Sequence, residues 1–190
     1  TYPYYANDNY CDDGGEGSQY SLCEYGTDCN DCEPRVYSPS MPPSAPVIKC
    51  DLLMDLVLII DKSGSMSPYT ADLEAFQLSV VRQFVIGPGS TAMGVIDFSS
   101  DASIVTDLST DETGVTTAIQ NSPAPSGWTH ISAGLNQALQ LIQSNGRSAA
   151  RAVMILLTDG EQNDQYGGRR GAVETAVAVH QSVELYTIGF

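Results

Sequence analysis

The chain has 190 residues, 42% of them hydrophobic, which is enough for one domain with a sizeable core and a small additional segment. Its formal net charge is −15, and only eight lysines and arginines are present. This balance excludes nucleic acid as the expected partner, because recognition of phosphates requires a basic surface. The best apolar run, 52–60, is short and contains Asp55, so no membrane-spanning helix is predicted.

The first 36 residues form an acidic, cysteine-rich segment. Residues 1–46 hold eight acidic residues against Arg35 alone. Four cysteines fall within 22 residues of a segment that has almost no aliphatic side chains: Cys11, Cys23, Cys29 and Cys32. Such spacing predicts disulfides in place of a hydrophobic core, and hence an oxidising compartment and a secreted protein. Four cysteines allow three pairings, which all remain open.

Aspartates flank these cysteines at Asp12, Asp13, Asp28 and Asp31. They are candidate ligands of a Ca²⁺ ion, which would offset their crowded charge, and solvated charge is the alternative. Zinc held by the four cysteines is the less favoured interpretation, given the flanking acids and the expected secretion. The whole segment resembles short cysteine modules of the Lin-12/Notch type and similar modules in secreted proteins of algae and other protists.

Residues 37–49 include the run S-P-S-M-P-P-S-A-P, a composition typical of a stiff, extended linker. From residue 50 to residue 190, apolar strands alternate with amphipathic helices. Strands are predicted at 56–60, 93–98, 103–108, 152–157 and 185–188. The first helix is predicted to begin at Ser67 and Pro68, and the last carries the apolar residues Val173, Ala176 and Val177. This alternation predicts a doubly wound, mostly parallel α/β sheet.

The two most apolar strands are each followed closely by an aspartate, Asp61 and Asp159. In an open α/β sheet, ligands bind beyond the carboxyl ends of the strands where the strand order reverses. If the two strands are neighbours at that point, both carboxylates face one crevice. The candidate site therefore lies at this edge of the sheet.

The segment after the first strand reads Asp61-Lys62-Ser63-Gly64-Ser65-Met66. In an extended loop, residues two apart lie on the same side, so Asp61, Ser63 and Ser65 are expected to converge. Gly64 allows the backbone to bend. Two carboxylates and two hydroxyls form an all-oxygen site, which suits Mg²⁺, Mn²⁺ or Ca²⁺ better than zinc.

These residues carry a resemblance to the von Willebrand factor A domain. The segment 61–65 is similar to the Asp-x-Ser-x-Ser motif of that family's metal-ion-dependent adhesion site. The segment Thr158-Asp159-Gly160 is similar to the family's motif with an aspartate after the fourth strand. Thr129 stands at the position of the family's metal-binding threonine. The resemblance implies that Ser63 and Ser65 bind the ion directly, and that Asp61, Thr129 and Asp159 bind it directly or through water. It also implies a partner protein whose Asp or Glu completes the coordination.

Three further residues near the motifs are candidate ligand contacts: Met66, Trp128 and His130. Trp128 departs from the family pattern, since many relatives have glycine there. The resemblance also implies a further helix, an edge strand and a final helix after Phe190, together with a disulfide partner for Cys50 in that region. Without them, the sheet edge would be open to strand addition.

Three classes of function are compatible with this pattern. The favoured one is an extracellular adhesion module that binds a protein partner through the ion. The alternative is a building block of an extracellular filament, coat or matrix, assembled through neighbouring subunits. An enzyme is not expected. Aspartyl phosphatases carry an Asp-x-Asp motif after the first strand, and the second aspartate of that motif is replaced by Ser63 in this chain. The sequence also has no Ser-His-Asp or P-loop pattern that would indicate another catalytic site.

Overall fold

The computed structural model describes Tyr10 and residues 49–189. The predicted cysteine module and calcium site lie outside the described residues and stay predictions; they concern Cys11, Asp12, Asp13, Cys23, Asp28, Cys29, Asp31 and Cys32. Among the described residues, Cys50 has no disulfide partner.

Five strands form a single sheet within the described part of the chain. They are β1 (Met54–Asp61), β2 (Thr91–Phe98), β3 (Ala102–Ser109), β4 (Arg151–Thr158) and β5 (Glu184–Gly189). The spatial order is β3-β2-β1-β4-β5, with β3 antiparallel and every other pair parallel. The predicted doubly wound, mostly parallel α/β fold is confirmed, and β1 and β4 are neighbours, as the location of the site requires.

Four α-helices connect the strands: α1 (Thr70–Gln83), α2 (Glu112–Gln120), α3 (Ile131–Asn145) and α4 (Gly168–His180). Short 3₁₀ helices span Gly64–Tyr69 and Asp164–Tyr166. The predicted start of the first helix at Ser67 and Pro68 was wrong. The amide of Met66 already donates to the carbonyl of Ser63, three residues earlier, so the chain forms a tight 3₁₀ segment before α1 begins.

All eight residues of β1 are buried, as expected for a central strand covered on both faces. Its side chains alternate between two core layers. Leu58 and Ile60 pack in the layer formed with α1 and α2, whereas Val57 and Ile59 pack in the layer formed with α3 and α4. The carboxyl end of β1 is therefore held rigidly between two helical layers.

One face of α4 is not covered by any described residue. Val173 and Val177 are 53% and 57% exposed, while Val179 is buried against the sheet. At the neighbouring edge of the sheet, Tyr186 and Ile188 of β5 are also exposed. Within the described residues, no helix combines the length and apolar character that crossing a membrane requires.

Candidate metal centre

The carboxyl ends of β1 and β4 bring Asp61 and Asp159 to the same edge of the sheet. The strands pair in parallel register from Met54 opposite Arg151 to Ile60 opposite Leu157, so both end at one level. Thr158, at the end of β4, donates a hydrogen bond from its hydroxyl to Oδ2 of Asp61 at 2.6 Å. This bond fixes the Asp61 carboxylate against the neighbouring strand.

The loop after β1 turns its polar groups towards β4. The amide of Ser63 donates to Oδ1 of Asp61 at 2.8 Å, which holds the turn closed. The hydroxyls of Ser63 and Ser65 lie 3.0 Å apart, and the Ser65 hydroxyl donates to Oδ1 of Asp159 at 3.1 Å. Ser63, Ser65 and Asp159 thus form a continuous chain of oxygen atoms across the two loops.

Thr129 lies on a third loop, which is bonded to both of the others. The amide of Gly64 donates to the carbonyl of Gly127 at 3.0 Å. The amide of Thr129 donates to Oδ1 of Asn163 at 2.6 Å, and its carbonyl accepts from the amide of Asn163 at 3.0 Å. Thr129 is 9% exposed. Three separate loops therefore meet at this edge of the sheet.

Gly127 permits the close approach of this third loop. Its φ is +89°, in the left-handed region that side chains disfavour, and an added Cβ would lie 2.9 Å from Oγ of Ser100. The Ser100 hydroxyl also accepts a hydrogen bond from the amide of Trp128 at 3.0 Å. A larger residue at 127 would displace the segment that carries Thr129.

Asp61 is fully buried, and burial raises the pKa of its carboxyl group above the usual aspartate value. The hydrogen bonds from Ser63 and Thr158 oppose this shift, and the negative charge of Asp159 adds to it. A bound cation would favour the ionised carboxylate. The electrostatics of the site are thus suited to a positive ion.

The spacing of the oxygen atoms also fits a small cation. Adjacent ligands of an octahedral ion with bonds of about 2.0–2.1 Å lie about 2.9 Å apart, close to the separations along the Ser63–Ser65–Asp159 chain. In the part of the chain that the structure describes, no group of three or more His, Cys, Asp or Glu side chains is arranged so that it could hold a metal ion by itself. The donor set therefore consists of hydroxyls and two carboxylates, which suits hard cations.

Two positioning residues of this site were missed by the sequence analysis. Thr158 orients Asp61, and Asn163 joins the loop of Thr129 to the loop after β4. The role of Thr158 could have been inferred from its position beside Asp159 in the sequence. No neighbouring residue in the sequence indicated a role for Asn163, because its hydrogen-bond partner, Thr129, is 34 residues away.

The three candidate ligand contacts differ in accessibility. Trp128 is 59% exposed and is available to a partner. The ring of His130 stacks on Tyr166 with centroids 3.9 Å apart, and its Nδ1 lies 3.3 Å from the carbonyl oxygen of Ser100. The prediction for Met66 was wrong: its side chain is fully buried in the core with α1, so it cannot reach a ligand.

Residues 55–190 match the family model of the von Willebrand factor type A domain. The chain belongs to this family. It is 30% identical to mouse integrin alpha-11 over 120 residues, covering 61% of this chain and 10% of the integrin. It is 26% identical to the mouse collagen alpha-4(VI) chain over 141 residues, covering 71% of this chain and 6% of the collagen. This von Willebrand factor A chain thus spans a tenth or less of these relatives.

Solved structures show the same fold. Proximal thread matrix protein 1 from the mussel byssus, with zinc in its MIDAS motif, is 25% identical with a TM-score of 0.62, covering 75% of this chain and 37% of that one. Manganese-loaded TRAP protein of Plasmodium vivax is 23% identical with a TM-score of 0.61, covering 74% of this chain and 58% of that one. Divalent cations are therefore bound by proteins of similar fold.

Proposed function

We propose that this von Willebrand factor A domain is an extracellular adhesion module, which holds one divalent cation and binds a carboxylate of a partner protein. Ser63, Ser65 and Thr129 would supply hydroxyl ligands, with Asp61 and Asp159 binding directly or through water. Mg²⁺, Ca²⁺ and Mn²⁺ suit this oxygen set. The extracellular location is supported by the similarity to integrin and collagen chains and to a byssal matrix protein.

The observation that carries the proposal is the chain of oxygen atoms from Ser63 through Ser65 to Asp159. It joins the loops after two neighbouring strands, at the position where an α/β sheet binds ligands. With only two carboxylates among the five proposed ligands, a bound ion would keep much of its positive charge. An Asp or Glu side chain of a partner would then be a favoured additional ligand.

Binding, not catalysis, is the role that these groups support. The position two residues after Asp61 is a serine, where an aspartyl phosphatase needs a second aspartate. Both oxygens of Asp61 already accept hydrogen bonds, from the Ser63 amide and the Thr158 hydroxyl. Asp61 is thus held as a structural and charge-bearing group of the site.

Cation binding is tested by titrating the full chain with Mg²⁺, Mn²⁺, Ca²⁺ and Zn²⁺ in a calorimeter. Ser63→Ala is expected to weaken binding by roughly ten- to a hundredfold, because it removes one ligand without changing the charge. Ser67→Ala is the matched control, since Ser67 is exposed on the 3₁₀ helix that follows Ser63. Equal affinities of the wild type and Ser63→Ala would contradict the proposed site.

Carboxylate capture is tested with a glutamate-containing peptide and its glutamine analogue. In Mg²⁺, only the glutamate peptide is expected to bind; a chelator is expected to abolish that binding and Ser63→Ala to weaken it. In the otherwise unchanged protein, Trp128→Ala is expected to weaken binding of the glutamate peptide, because the exposed indole is accessible to the ligand. Binding that persists in chelator would exclude an ion-bridged contact.

A structural role in an extracellular matrix is the second candidate. It is favoured by β5, which is an edge strand among the described residues and on which Tyr186 is 55% exposed, and by the similarity to a byssal matrix protein. Light scattering of the full chain distinguishes the two roles. Assembly that is unchanged by chelator and by Ser63→Ala would support the structural role, and loss of assembly in both would support the ion-bridged one.

A further inference from the structure

A buried side-chain amide lies between the loop after β4 and the starts of α3 and α4. It belongs to Gln162, which is 3% exposed and is not a proposed metal ligand. Its Oε1 accepts a hydrogen bond from the amide of Ser132, in the first turn of α3, at 2.8 Å. Its Nε2 donates to the carbonyls of Tyr166 at 2.6 Å and of Gly168 at 3.3 Å. Each polar atom of this amide therefore has a partner.

Glycines at the start of α4 leave room for the amide of Gln162. An added Cβ at Gly171 would lie 3.0 Å from Nε2 of Gln162 and 3.1 Å from the carbonyl oxygen of Tyr166. Gly167 has a φ of +91°, in the left-handed region that other residues disfavour, and its added Cβ would lie 4.0 Å from the same nitrogen. The glycine-rich segment 167–171 thus accommodates the side chain that joins the loop after β4 to both helices.

Two further residues connect the loop before α3 to the loop after β4. Asn163 bonds to both the backbone amide and the carbonyl of Thr129. The ring of His130 stacks on that of Tyr166, with an interplanar angle of 4°. These contacts add to the bond that Ser132 donates to the buried amide. A movement of Thr129 is therefore coupled to a movement of the loop after β4, which also carries the second carboxylate of the site.

The spacing that this connection maintains suits a small cation. One of the connected loops carries Thr129 and the other carries Asp159, so two of the five proposed ligands are held at a fixed separation. Mg²⁺ requires near-ideal octahedral geometry with bonds of about 2.0–2.1 Å, whereas Ca²⁺ accepts variable geometry and bonds of about 2.3–2.6 Å. Loops that are free to separate would therefore cost Mg²⁺ more affinity than Ca²⁺.

We propose that Gln162 is a third positioning residue of the metal centre, which holds the loops of Thr129 and Asp159 together and so sets a preference of the site for Mg²⁺ over Ca²⁺. Gln162 acts through these loops and contributes no ligand atom. The inference rests on the proposed function, because it requires a cation at the ends of β1 and β4. It extends that function by assigning the ion preference to a residue outside the ligand set.

Hydrogen exchange of the full chain in chelator tests the connection without any ion. Gln162→Met removes the polar atoms of the amide and keeps a side chain of similar length. The amides of Thr129 and Ser132 are expected to exchange at least roughly tenfold faster in this variant. The amide of Thr113, bonded to a side chain at the start of α2, should keep its wild-type rate. Gln140→Met is the matched control, since Gln140 is exposed on α3. Unchanged exchange of Thr129 and Ser132 in Gln162→Met would overturn the proposal.

Calorimetric titration of the full chain with Mg²⁺ and with Ca²⁺ tests the effect on the ion. Gln162→Met is expected to weaken Mg²⁺ binding by roughly ten- to a hundredfold and Ca²⁺ binding by less, so the ratio of the two affinities falls. Gln140→Met should keep both affinities. A wild-type ratio in Gln162→Met would show that the residue only stabilises the fold, and would overturn the proposal. A wild type that binds Ca²⁺ as tightly as Mg²⁺ would overturn it as well.

Gly171→Ala disturbs the same amide from the side of α4 and provides a second variant in case Gln162→Met does not fold. Its Cβ would stand against both atoms of the bond from Gln162 to Tyr166, whereas alanine favours the helix, so α4 itself is not weakened. The ratio of Mg²⁺ to Ca²⁺ affinity is expected to fall. Gly89→Ala is the matched control, since an added Cβ there meets nothing within 4 Å. If Gln162→Met does not fold, a wild-type ratio in Gly171→Ala overturns the proposal.

The positioning role and the metal site fail in different ways. A wild type that does not bind Mg²⁺ refutes the metal site itself, and the role of Gln162 there with it. A wild type whose Mg²⁺ affinity is weakened by Ser63→Ala supports the metal site. Unchanged ratios in Gln162→Met and Gly171→Ala would then refute the positioning role alone.

Discussion

Asp61 and Asp97 are buried aspartates near the carboxyl ends of neighbouring strands, but their oxygens are satisfied differently. Asp61 accepts hydrogen bonds on both oxygens, whereas Asp97 accepts one on Oδ2 alone. Burial raises the pKa of Asp97, and the hydrogen bond from Ser122 and the positive charge of Lys62 oppose this shift. Ionisation of the buried Asp97 carboxyl group therefore destabilises the folded state.

The free energy of unfolding is expected to depend on pH through the ionisation of Asp97. In the unfolded chain the carboxyl group of Asp97 has a pKa of about 3.9, whereas in the folded chain it keeps its proton to higher pH. Its contribution to stability is therefore complete below that value and is lost as the pH rises through the folded-state pKa. Asp97→Asn removes this loss, so the free energy of unfolding of the variant should rise relative to that of the wild type as the pH increases above about 4.

Urea unfolding of both proteins at several pH values measures that difference. Asp107→Asn, at an exposed position, should show no such trend relative to the wild type. If the difference between Asp97→Asn and the wild type were constant with pH, Asp97 would ionise normally in the folded state.

At the scale of the elements, a buried ion pair fixes the start of β1. The side chain of Asp55 is 2% exposed, and its Oδ1 accepts from Nε of Arg147 at 2.7 Å. The amide of Arg147 donates to the other oxygen at 2.6 Å. The guanidinium also donates to the carbonyls of Met54 and Ser90, which joins β1 to the segments after α3 and before β2. Asp55, the acidic residue within the first apolar run of the sequence, thus has a structural role.

Arg147→Met is expected to lower the free energy of unfolding by about 3–5 kcal/mol, because it leaves the Asp55 carboxylate buried and unpaired. Arg170→Met is the control, since Arg170 is exposed and pairs with Glu174 one helical turn away. That surface pair should contribute only about 0.3–0.5 kcal/mol. Chemical denaturation of the two variants checks both values, and similar small losses would show that the Asp55 pair contributes little.

Local patterns predicted the strands well and the helix surfaces less well. The apolar run 56–60 lies inside β1, because a central parallel strand is buried on both faces and needs continuous apolar residues. On α4, Val173 and Val177 share the helical spacing of a core stripe, yet they are exposed. Periodicity identifies an apolar face, but which neighbour covers that face is decided by tertiary packing.

The same distinction applies to the candidate site. Alternation along the loop was sufficient to place Ser63 beside Ser65. The sequence left open whether the two apolar strands are neighbours, and the pairing of β1 with β4 supplies that condition. The bond between Asn163 and Thr129 depends on loops distant in sequence, so no local spacing could predict it.

For the whole molecule, the net charge of −15 makes any added cation stabilising to some degree. Repulsion among carboxylates favours expansion of the chain, and salt weakens it by screening. A general effect of this kind depends on ionic strength. A site-specific effect depends on the identity of the ion and on the residues that hold it, so the two can be separated by experiment.

Thermal unfolding of the full chain at constant ionic strength makes that separation. Mg²⁺ at a hundredfold excess over its dissociation constant should stabilise the wild type by about 2.7 kcal/mol, since the ion binds the folded state alone. For a domain of this size, the midpoint temperature should rise by roughly 5–11 °C. Ser63→Ala carries the same net charge, so it should keep the screening effect but retain only about 0.4–1.4 kcal/mol of the site-specific stabilisation, since its affinity for the ion is expected to be ten- to a hundredfold lower. Equal shifts in the two proteins would mean that the cation acts on the overall charge and has no site at the ends of β1 and β4.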